Sequence, residues 1–338
     1  MLYTFLSPES IDDSELSFWQ SHTWKRILER SHQAREVFYF GHVDGTFLLV
    51  EIRQLQLGMT GAFVLGPNKS QIASDFPECI AALQDTLRSK GVVLLQVEPV
   101  EESGMIESGL GVDQKRNLLM LLLKGSGNRV YKEFLTPYNR VVDLAPSEDE
   151  IWAQMKEKGR YHINLAEKRG VTIESVAPTP ENIDIWMGLL GDTLARDGFA
   201  GNSRAYYEVF LEEIYREYGD GLYFGYADGH VVVAGIFVST PARTIYYYGA
   251  SSSDKEDRKK MGSYLLQWYA IREARKKGIP YYDFLGVSDP DNPDDHLKGV
   301  SDFKEKFGGY LVKLPPKLCI ILSWKGRLIL LAKTMFRR

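Results

Sequence analysis

Cysteine is scarce in this chain: Cys79 and Cys319 are the only two among 338 residues, far apart and without a C-x-x-C spacing. The six histidines show no ligand spacing either. A metal site and a disulfide framework are therefore not expected, and a reducing compartment fits. No run of about 18 apolar residues occurs, so no segment is expected to span a membrane. The opening residues Met1-Leu2-Tyr3-Thr4-Phe5 offer no basic stretch ahead of an apolar one, so no signal peptide is expected and the cytoplasm is the expected location. A large excess of one charge is missing as well. The net charge of −4 excludes a surface that captures polyanions everywhere, yet leaves local basic patches open. No Ser-His-Asp or Cys-His set for covalent catalysis stands out.

What the sequence does have is repetition. The length fits two domains at roughly 150 residues each, and 44% hydrophobic with 25% charged residues is ordinary for a globular protein. Residues 39–45 and 223–229 share the pattern Y-F-G-x-x-D-G, an offset of 184 (39 to 223). Each Asp-Gly lies between two β-rich runs, the signature of a hairpin. Downstream, Phe76 to Lys90 has the apolar periodicity of a helix stopped by Gly91 and followed by a strand, Val92 to Val97. Met261 to Lys277 repeats this, stopped by Gly278 and followed by Tyr281 to Leu285, at an offset of 187 (91 to 278). Each copy reads helix, hairpin, strand, helix, strand. That order resembles the GCN5-related acetyltransferase (GNAT) unit. The expected fold is thus α/β with mixed sheets in two tandem acetyltransferase-like domains, 1–145 and 146–310. A tail, 311–338, is left to pack on the first domain or on a membrane. The boundary is placed near Asp143-Leu144-Ala145-Pro146-Ser147.

Ser147-Glu148-Asp149-Glu150 starts a helix as a capping box would. Its pattern predicts helix over 148–169, carrying Lys156, Lys158, Arg160, Lys168 and Arg169. A solvated face explains such a charge run equally well. The segment Met155-Lys156-x-Lys158-x-Arg160-Tyr161-x-Ile163-x-x-Ala166-x-Lys168-x-Gly170-Val171 nevertheless resembles the signature of the Fem (FemABX) peptidyltransferases. Further motifs follow in family order: Gln20-Ser21-x-x-Trp24, Gly66-Pro67, Arg196-Asp197-Gly198-Phe199, Tyr206-Tyr207, Tyr246 to Ser251, Tyr282 to Val287, and Phe303-Lys304-x-Lys306-Phe307-Gly308. The match spans about residues 18–310. Leu65 stands where the family has a basic residue before Gly-Pro, and no long helical hairpin is inserted.

The resemblance implies an enzyme of peptidoglycan biosynthesis: an aminoacyltransferase moving an amino acid from aminoacyl-tRNA to the stem peptide of a precursor, lipid II or UDP-MurNAc-pentapeptide. Ester aminolysis needs positioning, oxyanion stabilisation and loss of an amine proton, but no enzyme nucleophile. No cofactor is expected beyond the aminoacyl-tRNA co-substrate, and no metal. The expected coenzyme loop, Arg258-Lys259-Lys260-Met261-Gly262-Ser263-Tyr264, has one glycine where a pyrophosphate loop needs several.

By the same resemblance Lys304 is the leading catalytic or tRNA-end-positioning candidate, against a surface lysine like its neighbours Lys298 and Lys306. Glu98 is a candidate to orient or deprotonate the acceptor amine. Tyr206 and Tyr248 match tyrosines that line the precursor site, although aromatic core packing explains most tyrosines. Lys25 and Arg26 fall near a basic phosphate contact. A second such contact falls on Asn202, with Arg204 as its substitute two places on.

The tail from 310 to 338 holds seven Lys and Arg and no acid, interleaved with Leu318, Ile320, Ile321, Leu322, Trp324, Leu328, Ile329, Leu330, Leu331, Met335 and Phe336. Such a pattern suits the inner membrane surface, a tRNA backbone, or packing on the first domain. A monomer is expected. The alternatives are a coenzyme A- or acyl-carrier-dependent N-acyltransferase, and a non-catalytic tRNA- or membrane-binding module.

Overall fold

A computed structural model of the chain describes residues 2–42, 44–68, 71–72, 74–100, 130–198 and 200–335. Two compact units form: Met1–Pro137 with Leu314–Arg338, and Tyr138–Lys313.

In the first unit the β-rich runs become β1 (Thr4–Leu6), β2 (Glu36–Gly41), β3 (Phe47–Gln54), β4 (Thr60–Leu65) and β5 (Leu94–Glu98), joined by the chain's last strand, β13 (Leu318–Ile321). Their order is β1-β2-β3-β4-β5-β13. Among the described strands of this unit only β4 and β5 run parallel, over five registered pairs from Gly61↔Leu94 to Leu65↔Glu98. The helix Phe76–Ser89 bridges this parallel pair. It buries Phe76, Cys79, Ile80, Leu83 and Leu87 at helical spacing, against a core containing Leu48, Val50, Val64 and Leu95. Cys79 is thus core, and burial pushes its thiol up to about 12. The Gln20-Ser21-x-x-Trp24 motif is structural. The buried Gln20 amide donates to the Leu65 carbonyl at 2.7 Å and accepts from the Leu49 N–H at 2.8 Å. Ser21 caps the helix His22–Arg30, and the Trp24 indole donates to Glu51. Gly66 sits at φ 72°, where a side chain would strike Ser17 and Trp19.

The second unit repeats the plan. Its strands are β6 (Tyr138–Asp143), β7 (Thr172–Val176), β8 (Leu222–Ala227), β9 (His230–Ser239), β10 (Thr244–Ser251), β11 (Tyr281–Gly286) and β12 (Tyr310–Lys313). The order β12-β6-β11-β10-β9-β8-β7 again contains one parallel pair, β10 with β11. The helix Gly262–Lys276 bridges it, packing Leu266, Trp268 and Ile271 into a core with Val233, Phe237 and Tyr282. Asp228 at φ 51° and Gly229 at φ 85° make the tight turn between β8 and β9 that the Asp-Gly pattern predicts. Two acetyltransferase-like domains follow each other in the chain, as the repeat implies.

Three expectations need correction. The unit boundary falls at 137/138, not 145/146, because 138–143 forms β6 and pairs with β11 in the second sheet. The second unit also keeps 311–313, which complete β12. The single helix over 148–169 is two, Glu148–Gln154 and Glu157–Lys168. Between them Met155 and Lys156 are extended: Met155 plugs the core, the Lys156 N–H donates to the Lys306 carbonyl, and Arg160 bonds the Met155 carbonyl. The capping box itself is present, with Ser147 and Glu150 bonding each other's backbone N–H.

The tail from Leu314 belongs to the first unit. Leu318 and Cys319 are buried beside Val97 and Gln96. Lys317 places its ammonium 3.2 Å from Glu98, which is fully buried. The Glu98 carboxylate also accepts the N–H groups of Leu135 at 2.8 Å and Phe134 at 3.3 Å, and the Gln96 amide. Burial pushes this carboxyl up, against the pull of Lys317 and those N–H groups. With every oxygen engaged inside the first unit, Glu98 ties the 131–135 segment and the tail to β5. That removes it as a base for a substrate amine.

Lys317→Met is expected to cost about 3–5 kcal/mol, since it leaves a carboxylate buried without its cation. Adding Glu98→Gln should recover most of the loss. Urea denaturation of the two variants checks both statements; equal stability of the single and double variants would contradict the pairing.

Candidate functional site

The parallel pair differs between the two units. In the second, β10 and β11 are registered at only Thr244↔Tyr282 and Ile245↔Asp283. Beyond those pairs the carboxyl ends of both strands run on without pairing to each other, the place where open α/β sheets bind ligands.

On β11 the opening is made by a bulge. Asp283 pairs with Val141 and Gly286 with Asn139, so one extra residue is inserted on the β11 side. Leu285 takes φ 55°, uncommon for a non-glycine residue. Its N–H donates to Asp283 Oδ1 at 2.8 Å. Asp283 is buried and its other oxygen accepts from Arg243 at 2.9 Å and from Asn139 at 3.4 Å. Past the bulge, the Gly286 carbonyl accepts a hydrogen bond of 2.7 Å from the Lys304 ammonium.

Lys304 is the last residue of the helix Lys298–Lys304. Phe303 and Phe307 pack around Tyr264 and fix that turn in the core. Lys304 is 6% exposed, while Lys306 is half-buried and Lys298 is exposed. The surface-lysine reading therefore fails for Lys304. Burial pulls its ammonium from the usual 10.5 down to about 8, opposed by the Asp283 carboxylate. A buried lysine whose ammonium bonds a backbone carbonyl is costly to fold and matches the pattern of functional amines.

On β10 a second bulge lies between Tyr246 and Tyr248. Tyr246 stacks on Phe237, and Tyr247 meets Phe210. Tyr248 lies against Tyr206, Tyr207 and Phe210. A side chain at Gly249 would fall on the Tyr246 hydroxyl, so glycine is needed there. The hydroxyls of Tyr206 and Tyr248 are 3.2 Å apart, and Asn202 donates to Tyr248 at 3.1 Å. Ser203 caps the helix Arg204–Tyr218 that carries Tyr206. Burial, then the neighbouring Tyr248, pushes the Tyr206 hydroxyl well above its ordinary range. The Tyr206 ring is buried and that of Tyr248 half-buried among aromatics, and their hydroxyls form one polar cluster with Asn202.

The structure thus groups Asn202, Tyr206 and Tyr248, and sets Lys304 at the open end of the neighbouring strand. The other candidates have their own partners. Arg204 is held by Asp184 and by Glu208 at 2.6 Å, so two carboxylates already neutralise it as a phosphate ligand. Lys25 pairs with Glu29 at 2.5 Å, and Arg26 bonds Thr23 at 3.0 Å; both belong to the first unit, as Glu98 does. Phe199 lies outside the described residues, as do Phe336, Arg337 and Arg338 of the tail. Sequence reasoning passed over Asp283, Arg243 and Asn139. The signal was available: an aspartate at the centre of an otherwise apolar and aromatic strand must be paired. Among the described residues no cluster of three or more His, Cys, Asp or Glu side chains is placed to hold a metal ion.

Comparison with known proteins adds the following. The profile of the FemAB family matches residues 10–231 and 224–318. A lipid II:glycine glycyltransferase of Staphylococcus aureus is 22% identical over 276 residues, covering 61% of this chain and 64% of its own length. The chain therefore spans a little under two thirds of that curated relative. Among solved structures, the crystal structure of FemX superposes with a TM-score of 0.77 at 16% identity, covering 98% of this chain and 100% of its own. The C-terminal domain of a putative lysylphosphatidylglycerol synthetase from Agrobacterium fabrum gives 0.59 at 12% identity, covering 97% and 96%. These two likenesses are likenesses of fold.

The Lys304 amine titrates near 8 in the folded chain and near 10.5 in the unfolded one. Between those values the unfolded state keeps a proton that the folded state has lost, so stability rises with pH across that window. Below pH 8 both states are protonated, and folding carries the whole desolvation cost, about 3 kcal/mol. Lys304→Met is expected to stabilise the protein by about 2 kcal/mol at pH 7, after loss of one hydrogen bond. The gain should shrink towards pH 10. Urea denaturation at the two pH values checks this; a variant less stable at pH 7 would contradict it.

Proposed function

The chain belongs to the FemAB family, and on that premise we propose that it is an aminoacyltransferase acting on a peptidoglycan precursor. Its acyl donor is aminoacyl-tRNA and its acceptor the stem peptide of lipid II or of UDP-MurNAc-pentapeptide. No dissociable cofactor takes part. The observation that carries this reading is the buried Lys304 ammonium at the open ends of β10 and β11.

The reaction is aminolysis of an ester. The acceptor amine forms a C–N bond to the aminoacyl carbonyl, the C–O bond to the tRNA ribose breaks, and one amine proton ends on the ribose oxygen. Negative charge builds on the carbonyl oxygen in between. Lys304 has three N–H bonds, and Gly286 takes one. The others are available to the oxyanion or to a phosphate of the tRNA end, in a dry place where such a charge acts strongly. The hydroxyls of Tyr206 and Tyr248, with the Asn202 amide, offer donors and acceptors to the stem peptide. The lipid II named for the staphylococcal relative favours a lipid-linked acceptor. Such an acceptor would hold the enzyme at the inner face of the membrane. Among the described residues no helix is long and apolar enough to cross one.

The test is turnover with a pool of charged tRNAs and both precursors, with products weighed by mass spectrometry, and acetyl-CoA as the competing donor. Lys304→Met is expected to lower kcat about 10²–10³-fold, the usual cost of losing one oxyanion donor. A cationic role also sets a pH signature. Wild-type kcat should fall as pH rises through about 8, and Lys304→Arg, charged throughout, should lose that alkaline limb. Transfer from acetyl-CoA alone would replace the donor in this reading. Full turnover by the Met variant would remove Lys304 from the chemistry.

A further inference from the structure

The tail's last helix, Trp324–Met335, is two-faced. Gly326 and Ile329 are buried; a side chain at Gly326 would strike the Val93 carbonyl, so the start of the helix lies close on the residue before β5. Further along the same side, the Lys333 ammonium stands 4.1 Å from the centre of the Tyr131 ring. The opposite side carries Trp324, Leu328 and Leu331, which are 68%, 51% and 52% exposed. Spaced i, i+4 and i+7, they form one stripe along the helix. At about 100° per residue, Lys325 falls to one side of this stripe and Arg327 to the other; both are exposed.

We propose that this stripe inserts into the surface of an anionic lipid bilayer, with Lys325 and Arg327 against the headgroups. Three large apolar side chains have nothing to gain from water or from the phosphates of an RNA backbone, whereas a tryptophan among leucines between two cations is the pattern of an interfacial helix. Charge complementarity points the same way, since Lys325 and Arg327 flank the stripe and residues 324–335 contain no acid. The same end of the first sheet offers more of this kind. The turn between β3 and β4 presents Leu57, 85% exposed and at φ 56°. The β2 strand starts there beside exposed Arg35. The register places that turn with Leu94 and Ile321, next to the start of the helix. The stripe stands on the first unit's own geometry, whichever acyl donor the second unit takes.

The test uses the full chain and vesicles of phosphatidylcholine with and without about one third phosphatidylglycerol, read by co-flotation. Wild type should float with the anionic vesicles and much less with neutral ones, and added salt should weaken it. Trp324→Ser with Leu328→Ser and Leu331→Ser should lower vesicle partitioning at least tenfold. Lys325→Gln with Arg327→Gln should lower it by roughly fivefold per cation. Because the stripe is exposed, the melting temperature and turnover with a water-soluble acceptor should stay unchanged, which separates this proposal from the transferase reading. Stripe variants that float like wild type would overturn it. So would a wild type that ignores anionic vesicles, or a stripe change that instead abolishes tRNA retention or a dimer seen by sedimentation.

Discussion

One buried carboxylate organises the second unit. Asp283 sits in the middle of a strand with no access to water, and an unpaired charge there would cost several kcal/mol. Its partners come from three places: Arg243 just before β10, Asn139 on β6, and the N–H of Leu285 two residues along its own strand. The Arg243 bond joins β10 to β11 beside their last registered pair. The Leu285 bond holds the bulge that follows and supports its left-handed backbone. That bulge leaves the Gly286 carbonyl to Lys304. The same carboxylate favours the protonated Lys304 against the pull of burial. Opening, bulge and charged amine are thus parts of one arrangement.

The first unit shows what the plan looks like without that arrangement. Its parallel pair stays registered as far as Leu65↔Glu98. The buried acid there, Glu98, lies at the end of the strand, and its partners all come from the first unit: Lys317, Leu135, Phe134 and Gln96. Two carboxylates on equivalent strands have therefore taken different work. One closes its sheet against a returning tail, and the other holds its sheet open. A duplicated scaffold need not duplicate its site.

Most of the architecture was legible because it is written in short-range patterns. The Asp-Gly turns, the two glycine-stopped helices and the strands after them depend on local periodicity and backbone chemistry, and both copies carry them. What was not legible depended on distant partners. The break at Met155–Lys156 has no proline or glycine to mark it, since its cause is the Lys306 carbonyl 150 residues away (156 to 306). Reading β6 as the end of the first domain failed for the same reason: its partners, β11 and β12, lie far along the chain. Among the candidate residues, Lys304 was chosen by motif, but its burial depends on how Phe303 and Phe307 seat the turn. Arg204 was chosen for its charge, and only the fold brings Asp184 to neutralise it.

The segment before the helix Gly262–Lys276 bears on which acyl donor fits. A helix start of this kind binds a coenzyme pyrophosphate when bare backbone N–H groups and free cations face the ligand. Here Met261 takes the left-handed position at φ 60°. Lys259 pairs with Glu256 at 2.6 Å, Lys260 pairs with Asp228, and Arg169 bonds the Lys259 carbonyl. In the first turn Tyr264 lays its ring between His162, Phe303 and Phe307. Two of the cations near this helix start thus have carboxylate partners on the surface, and the ring belongs to the aromatic packing. The Phe303–Phe307 turn that Tyr264 braces is the one that seats Lys304. The same tyrosine thus ties the start of this helix to the turn that carries the buried amine.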